Sequence, residues 1–194
     1  MKKALLRCKT CGAEYGAERA PFRCACGEPL DLAWDGFGID ANERCQSRRY
    51  AAFYPFEAGE WRSLGEGGTP LVKLEALAKE LGLAEVAVKN ESANPTWSFK
   101  DRGTASCIAH ARALGYAKVG TVSSGNMAAS VAAYAAAAGM EAFILVKGNV
   151  ADEKLAPIAI YGPHLLRVAG PYEELYRESL RLGAERGIYF MNSD

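Results

Sequence analysis

Over residues 99–194, helix and strand patterns alternate with short gaps, and this alternation constrains the fold more than any other feature of the chain. Asp101 to Leu114 carries a helical period, with Ala105, Ile108, Ala111 and Leu114 on one face and Gly115 as a stop. Lys118–Ser123 reads as a short strand. Ser124 is placed to cap a helix from about Gly125 to Ala138, closed by Gly139. That helix is apolar almost all round, which predicts burial. Ala142–Lys147 reads as a strand, followed by a helix through Lys154–Ile160 and the strand Leu165–Ala169. Tyr172–Arg186 is an amphipathic helix ended by Gly187, and Ile188–Met191 is the last strand. Strands separated by helices of this length predict βαβ units, hence a parallel sheet with right-handed crossovers.

Two further zones precede this one. Residues 1–34 hold two cysteine pairs and little apolar periodicity. Residues 35–98 are mixed, with a cluster of aromatics and the turn-rich run Leu64-Gly-Glu-Gly-Gly-Thr-Pro-Leu71. The charges balance at 23 basic and 23 acidic residues, so nothing electrostatic favours nucleic acid or an anionic membrane surface as a partner. The Ala-rich stretch Met127–Met140 is too short to span a bilayer. No long apolar run follows the charged start Met1-Lys2-Lys3, which argues against a signal peptide and for a cytoplasmic protein.

The cysteines of the first zone are spaced Cys8-x2-Cys11 and Cys24-x-Cys26, each pair followed by glycine. Four thiolates in two close pairs can form a tetrahedral zinc site, and the glycines let the backbone turn under the sulfurs. The same residues are equally readable as four reduced thiols in a zinc-ribbon-like segment without metal. In either case the role is structural, because four protein ligands leave no open position. Cys45 and Cys107 have no partners in sequence and read as small buried hydrophobes.

Two loops carry the chemistry. Asn94-Pro-Thr-Trp-Ser-Phe-Lys-Asp-Arg-Gly103 follows the strand-like Val86–Lys89 and opens a helix. A lysine held there stands beside positive backbone N–H groups, a setting that favours the neutral, nucleophilic amine. Ser123-Ser-Gly-Asn126 occupies a strand-to-helix turn, where free N–H groups bind anions such as a carboxylate. Alone, the first is most simply a solvated surface lysine and the second a good helix cap. Together they place an amine and an anion site at the edge of a parallel sheet where ligands bind.

These two loops resemble the cofactor-lysine and asparagine loops of the fold-type II pyridoxal-phosphate (PLP) enzymes, and within that group they are most similar to threonine synthase. The Leu64–Leu71 run, the paired cysteines and Phe190-Met-Asn-Ser-Asp194 resemble further segments of the same family. The resemblance implies an α/β fold with a parallel sheet and flanking helices, preceded by the zinc-ribbon-like segment. It divides the chain into 1–34, the ribbon; 35–98, the N-terminal part of the large PLP domain; and 99–194, a small parallel α/β domain. Lys100 would carry PLP as a Schiff base and move protons. Asn126 would hydrogen-bond the cofactor ring oxygen. Ser123, Ser124 and the Gly125 backbone would hold the substrate carboxylate, and Asn192 and Ser193 the phosphate end. Trp97 departs from the pattern, because the family often has glycine there. The reaction implied converts O-phospho-L-homoserine and water to L-threonine and phosphate.

Family members are longer. No glycine-rich cup for the cofactor phosphate follows the asparagine loop, and no later Ser or Thr meets the pyridine nitrogen. The chain therefore reads as truncated, inactive alone, and prone to form a homo-oligomer through the apolar surface left bare. Cysteate synthase, a Ser/Thr dehydratase and a cysteine-synthase-like enzyme share the lysine and asparagine loops. A different class of reading is a catalytically inactive zinc-ribbon and PLP-domain fragment that serves as a binding module.

Overall fold

The alternation after residue 99 folds as a four-stranded parallel sheet, and each boundary falls within one or two residues of the sequence pattern. The computed structural model describes residues 5–18, 21, 23–33, 38–39, 42 and 49–192. The elements of this region are α2 (Lys100–Ala113), β6 (Lys118–Val122), α3 (Asn126–Ala138), β7 (Glu141–Lys147), α4 (Asp152–Ala159), β8 (His164–Val168), α5 (Tyr172–Arg186) and β9 (Ile188–Phe190). They follow β1 (Leu5–Cys8), β2 (Glu14–Gly16), β3 (Leu30–Ala33), β4 (Leu71–Lys73), α1 (Glu75–Leu81) and β5 (Ala87–Lys89). Cys45, Ser193 and the proposed boundary near residue 34 lie outside the described residues.

The parallel sheet has the order β8-β7-β6-β9. The central strands β6 and β7 are buried on both faces, as parallel strands tend to be, while the edge strand β8 is largely exposed. Val119, Ile144, Val146 and Met191 pack with α2, α3 and α4 on one side. Val122, Leu145, Ile188 and Phe190 pack against Leu175 of α5 on the other. Gly120 makes the β6–β9 pairing possible, because a Cβ there would stand 2.6 Å from the Phe190 ring. Helix α3 is buried from Met127 to Ala128 and from Ser130 to Ala135, as its uniform apolarity predicts. Its alanines let α2 approach closely enough to bury Ala105, Ile108 and Ala109 completely.

One local expectation fails. The N-cap of α3 is Gly125, not Ser124, and no side chain caps it. The Gly125 N–H donates instead to Ser123 Oγ at 3.2 Å, so the serine one residue earlier satisfies the turn.

The N-terminal zone is a small antiparallel sheet of order β2-β1-β3. The middle zone contributes the antiparallel pair β4–β5, with α1 between the strands. This pair exposes Leu71, Val72 and Val88, and α1 exposes Leu77 and Leu81.

Candidate active site

The strand order reverses between β6 and β9. The chain leaves β6 through α3 to β7 and through α4 to β8, then returns by α5 to β9 on the other side of β6. In an open α/β sheet, loops leaving such a pair diverge and open a crevice at the C-terminal strand ends. Ser123–Asn126 follows β6 and Asn192 follows β9, so both segments stand at this crevice.

Lys100 is the first residue of α2, and it is half-buried. Its Nζ lies 4.8 Å from the centroid of the exposed Phe99 ring. The loop before it is held by Asp101, which is fully buried. Asp101 Oδ2 accepts from the Thr96 N–H at 2.6 Å, and Oδ1 accepts from the Thr96 hydroxyl. The Ser130 hydroxyl of α3 donates to the same Oδ1 at 2.6 Å. The lysine helix and the asparagine helix are therefore joined near their N-termini. Trp97 takes φ of 60°, the only positive φ at a non-glycine among the described residues. Such a conformation suits glycine, the residue the resembled family often has here, and Trp97 adopts it at a steric cost.

A second set of bonds ties the glycine-rich run to the lysine helix. Arg102 grips Glu91 with Nε on Oε2 and Nη2 on Oε1, both at 2.8 Å. This contact, with help from Asn94 and Thr69, holds the Glu91 carboxyl down at about 2 despite the opposing effect of burial. The Asn94 amide oxygen accepts from the Gly67 N–H at 3.0 Å. Glu66, in the same run, is buried and accepts from Trp61 Nε1, Ser63 Oγ, the Leu64 N–H and the Tyr134 hydroxyl of α3.

Asn126 is exposed at the start of α3, with Ser123 and Ser124 half-buried before it. A Cβ on Gly125 would meet nothing within 4 Å, so open space stands over this helix N-terminus. Asn192 is committed at both ends of its amide. Its Oδ1 accepts from the Val122 N–H and its Nδ2 donates to Ser179 Oγ, each at 2.9 Å. These bonds lock the end of β9 to the end of β6. Lys100 and Asn192 line a cleft of about 1010 Å³, together with Phe99 and Met127; Leu6 of β1 and Ala17, just after β2, also line it.

The four N-terminal cysteines converge, with all their sulfurs within 4.8 Å of one another. Cys8 and Cys26 are 3.6 Å apart and Cys11 and Cys24 3.4 Å. Positive φ at Gly12 and Gly27 turns each knuckle, and their N–H groups donate back to the Cys8 and Cys24 carbonyls. The Tyr15 hydroxyl lies 3.3 Å from Cys24 Sγ. None of the four cysteines lines the cleft of Lys100. Cys107 is half-buried, and its thiol is pushed up to about 11 by burial.

Comparison with known proteins now decides the family. A family model described as pyridoxal-phosphate dependent enzyme matches residues 62–194. The chain belongs to this family. It is 39% identical to a threonine synthase of Methanocaldococcus jannaschii, over 97% of this chain and 49% of that protein. It is 36% identical to a threonine synthase of Methanosarcina acetivorans, over 97% of this chain and 48% of that one. The chain thus spans about half the length of these relatives. Among solved structures, maize serine racemase superposes with a TM-score of 0.56 at 28% identity, covering 63% of this chain and 37% of that chain. Escherichia coli diaminopropionate ammonia lyase, at 24% identity and a TM-score of 0.57 over 66% of this chain and 41% of that chain, shares the fold.

The residues present fit the family's cofactor. PLP carries an aldehyde and an anionic group; the cleft offers the primary amine of Lys100 and reaches α3 at Met127, while Ser123–Asn126, which stand before it, do not themselves line the cleft. Sequence reading singled out Lys100 and the asparagine loop but not the buried polar bonds nearby: Asp101 with Ser130 and Thr96 in the lysine loop, and Arg102–Glu91 and Glu66–Tyr134 at the glycine-rich run. A signal was available in α3, where Ser130 and Tyr134 interrupt a run of alanines at a spacing of one helical turn.

Proposed function

We propose that this chain supplies the lysine-bearing part of a PLP-dependent threonine synthase, which converts O-phospho-L-homoserine and water to L-threonine and phosphate. The observation that carries the reading is the Asp101–Ser130 bond, which brings the start of the lysine helix beside the start of the asparagine helix at the switch point of the sheet. Identity to threonine synthases over 97% of the chain supports this substrate over those of the solved neighbours. Bound PLP supplies an electron sink for carbanion chemistry at the substrate. The chain's own residues then bind and orient. Lys100 holds the cofactor and moves a proton at its Nζ. Asn126 donates to the ring oxygen. Ser123, Ser124 and the Gly125 N–H receive the substrate carboxylate at the start of α3. Asn192 and Ser193 would serve the phosphate end of the substrate, with the Asn192 amide fixing the end of β9 to β6.

On this reading, residues 1–34 are a zinc ribbon, 35–98 begin the larger PLP domain, and 99–194 are the smaller domain. The converged sulfurs support bound zinc. The free thiols suit a reducing compartment such as the cytoplasm. Among the described residues, no helix is long and apolar enough to cross a membrane.

The test is to incubate the chain with PLP, reduce with borohydride and map the labelled peptide. Label is expected at Lys100 and absent from Lys100→Ala. Label on another lysine overturns the assignment. Phosphate release from O-phosphohomoserine by the full-length gene product, compared with 2-oxoacid release from L-serine and L-threonine, decides between synthase and dehydratase.

A further inference from the structure

Asp101 stands next to Lys100, yet its carboxyl points away from solvent and is fully buried. An acid in the first turn of a helix needs no burial to favour the dipole. Burial of a carboxyl is costly unless donors surround it, and donors that must stay in place stiffen whatever they belong to. Among the described residues the donors are Thr96, in the loop that leads to Lys100, and Ser130, in α3. Ser130 lies one helical turn beyond Asn126, so its hydroxyl has a fixed relation to that residue. The chain from Asn126 through Ser130 and Asp101 to Lys100 thus runs along two helices and one hydrogen bond, with no flexible link except the lysine side chain itself.

We infer that Asp101 is a positioning residue, which through Ser130 and Thr96 sets the distance and angle between the Lys100 amine and the start of α3. This rests on the reading of Lys100 as the cofactor lysine. Asp101 touches neither cofactor nor substrate. Its effect is on where the amine stands and how its charge is surrounded.

Two readouts test it, on the wild-type chain and on Asp101→Asn, Ser130→Ala and Ser130→Thr. Glu66→Gln serves as a comparison, since it perturbs another buried carboxyl bonded to the same helix. The first readout needs no cofactor: acetic anhydride labelling of the Lys100 peptide as a function of pH, followed by mass spectrometry. The second is the PLP concentration giving half-maximal borohydride trapping at Lys100. Asp101→Asn and Ser130→Ala are expected to change the rate at which the Lys100 amine is acetylated. They are also expected to raise the half-saturating PLP concentration about tenfold or more, a misplacement of a fraction of an ångström. Ser130→Thr keeps a hydroxyl and should restore both, and Glu66→Gln should leave both within about twofold of wild type. Profiles of Ser130→Ala superimposable on wild type overturn the inference, and so does an equal change in Glu66→Gln, which would make the effect one of general stability. If Asp101→Asn does not fold, Ser130→Ala decides. If the wild-type chain is not trapped at Lys100, the cofactor reading fails, and the acetylation profile alone judges the role of Asp101.

Discussion

The Tyr134 hydroxyl donates to Glu66 Oε2 at 2.8 Å, joining α3 to a loop 68 residues earlier in the chain. Ser130 does the same for Asp101. The two donors are four residues apart on α3 and so share a face. One helix therefore anchors both the glycine-rich run and the lysine loop, and carries Asn126 at its own start.

This arrangement predicts unequal costs at its first contact. Tyr134→Phe removes one of the four donors to Glu66 and leaves three, so a loss of about 1–2 kcal/mol is expected. Glu66→Gln puts an amide N–H among donors that need acceptors, and about 2–4 kcal/mol is expected. Urea unfolding of both variants measures the difference. Equal costs would show that the four bonds do not act on one carboxylate as a unit.

Arg102 and Glu91 carry a pH dependence of known sign. The Glu91 carboxyl is held at about 2, below its ordinary 4.5, first by Arg102. A depressed acid contributes stability that is present above its unfolded value and is lost as pH falls through the folded value. Arg102→Gln should therefore be less stable than wild type near neutrality, by on the order of 1 kcal/mol for a half-exposed charged pair. The gap should narrow below pH 4.5 and close near pH 2. Unfolding at pH 7, 4 and 2.5 checks this, and a gap that stays constant with pH would refute the pairing.

The parallel sheet was legible because its strands and helices are local, periodic patterns, closed by Gly115, Gly139 and Gly187. Lys100 and the asparagine loop were legible as motifs. Strand β5 was legible in the strand-like Val86–Lys89, but its partner β4 was not, since Leu71–Lys73 is too short to show a period. The anchors were missed for a different reason. The partners Asp101–Ser130 and Glu66–Tyr134 are 29 and 68 residues apart, and nothing local names the partner of a buried polar residue. The N-cap of α3 was missed by one residue: it is Gly125, which has no side chain to signal a cap, while the Ser123 hydroxyl takes the Gly125 N–H in the turn before it.

The four-cysteine cluster should bind one zinc ion. Its sulfurs already lie within 4.8 Å of one another, and a tetrahedral site needs them only slightly rearranged around a central ion at about 2.3 Å. Metal analysis of chain prepared with zinc should give one equivalent, and Cys11→Ser should weaken binding by at least about tenfold, as loss of one ligand does. A chelator should lower the thermal midpoint of the N-terminal sheet. A chain that retains no zinc and shows no stabilisation on adding it would assign the cluster to four reduced thiols.

Trp97 allows a last test of the loop that delivers Lys100. Its φ of 60° places a bulky side chain in the left-handed region, at a cost of roughly 1–2 kcal/mol. The ring recovers little of this by burial, because it is 73% exposed. The turn is held by the Trp97 N–H donating to the Asn94 carbonyl at 2.8 Å, a bond that any residue except proline keeps. Trp97→Gly should relieve the strain, and the greater freedom of glycine in the unfolded chain should cancel part of the gain, leaving a net stabilisation of up to about 1 kcal/mol. Trp97→Val should go the other way by a similar amount, since a branched β-carbon fits this region worst. Thermal unfolding of the three proteins gives the order Gly, Trp, Val. If glycine proved the least stable, the indole would have to be making contacts that outweigh the backbone strain, and the strain argument would fall.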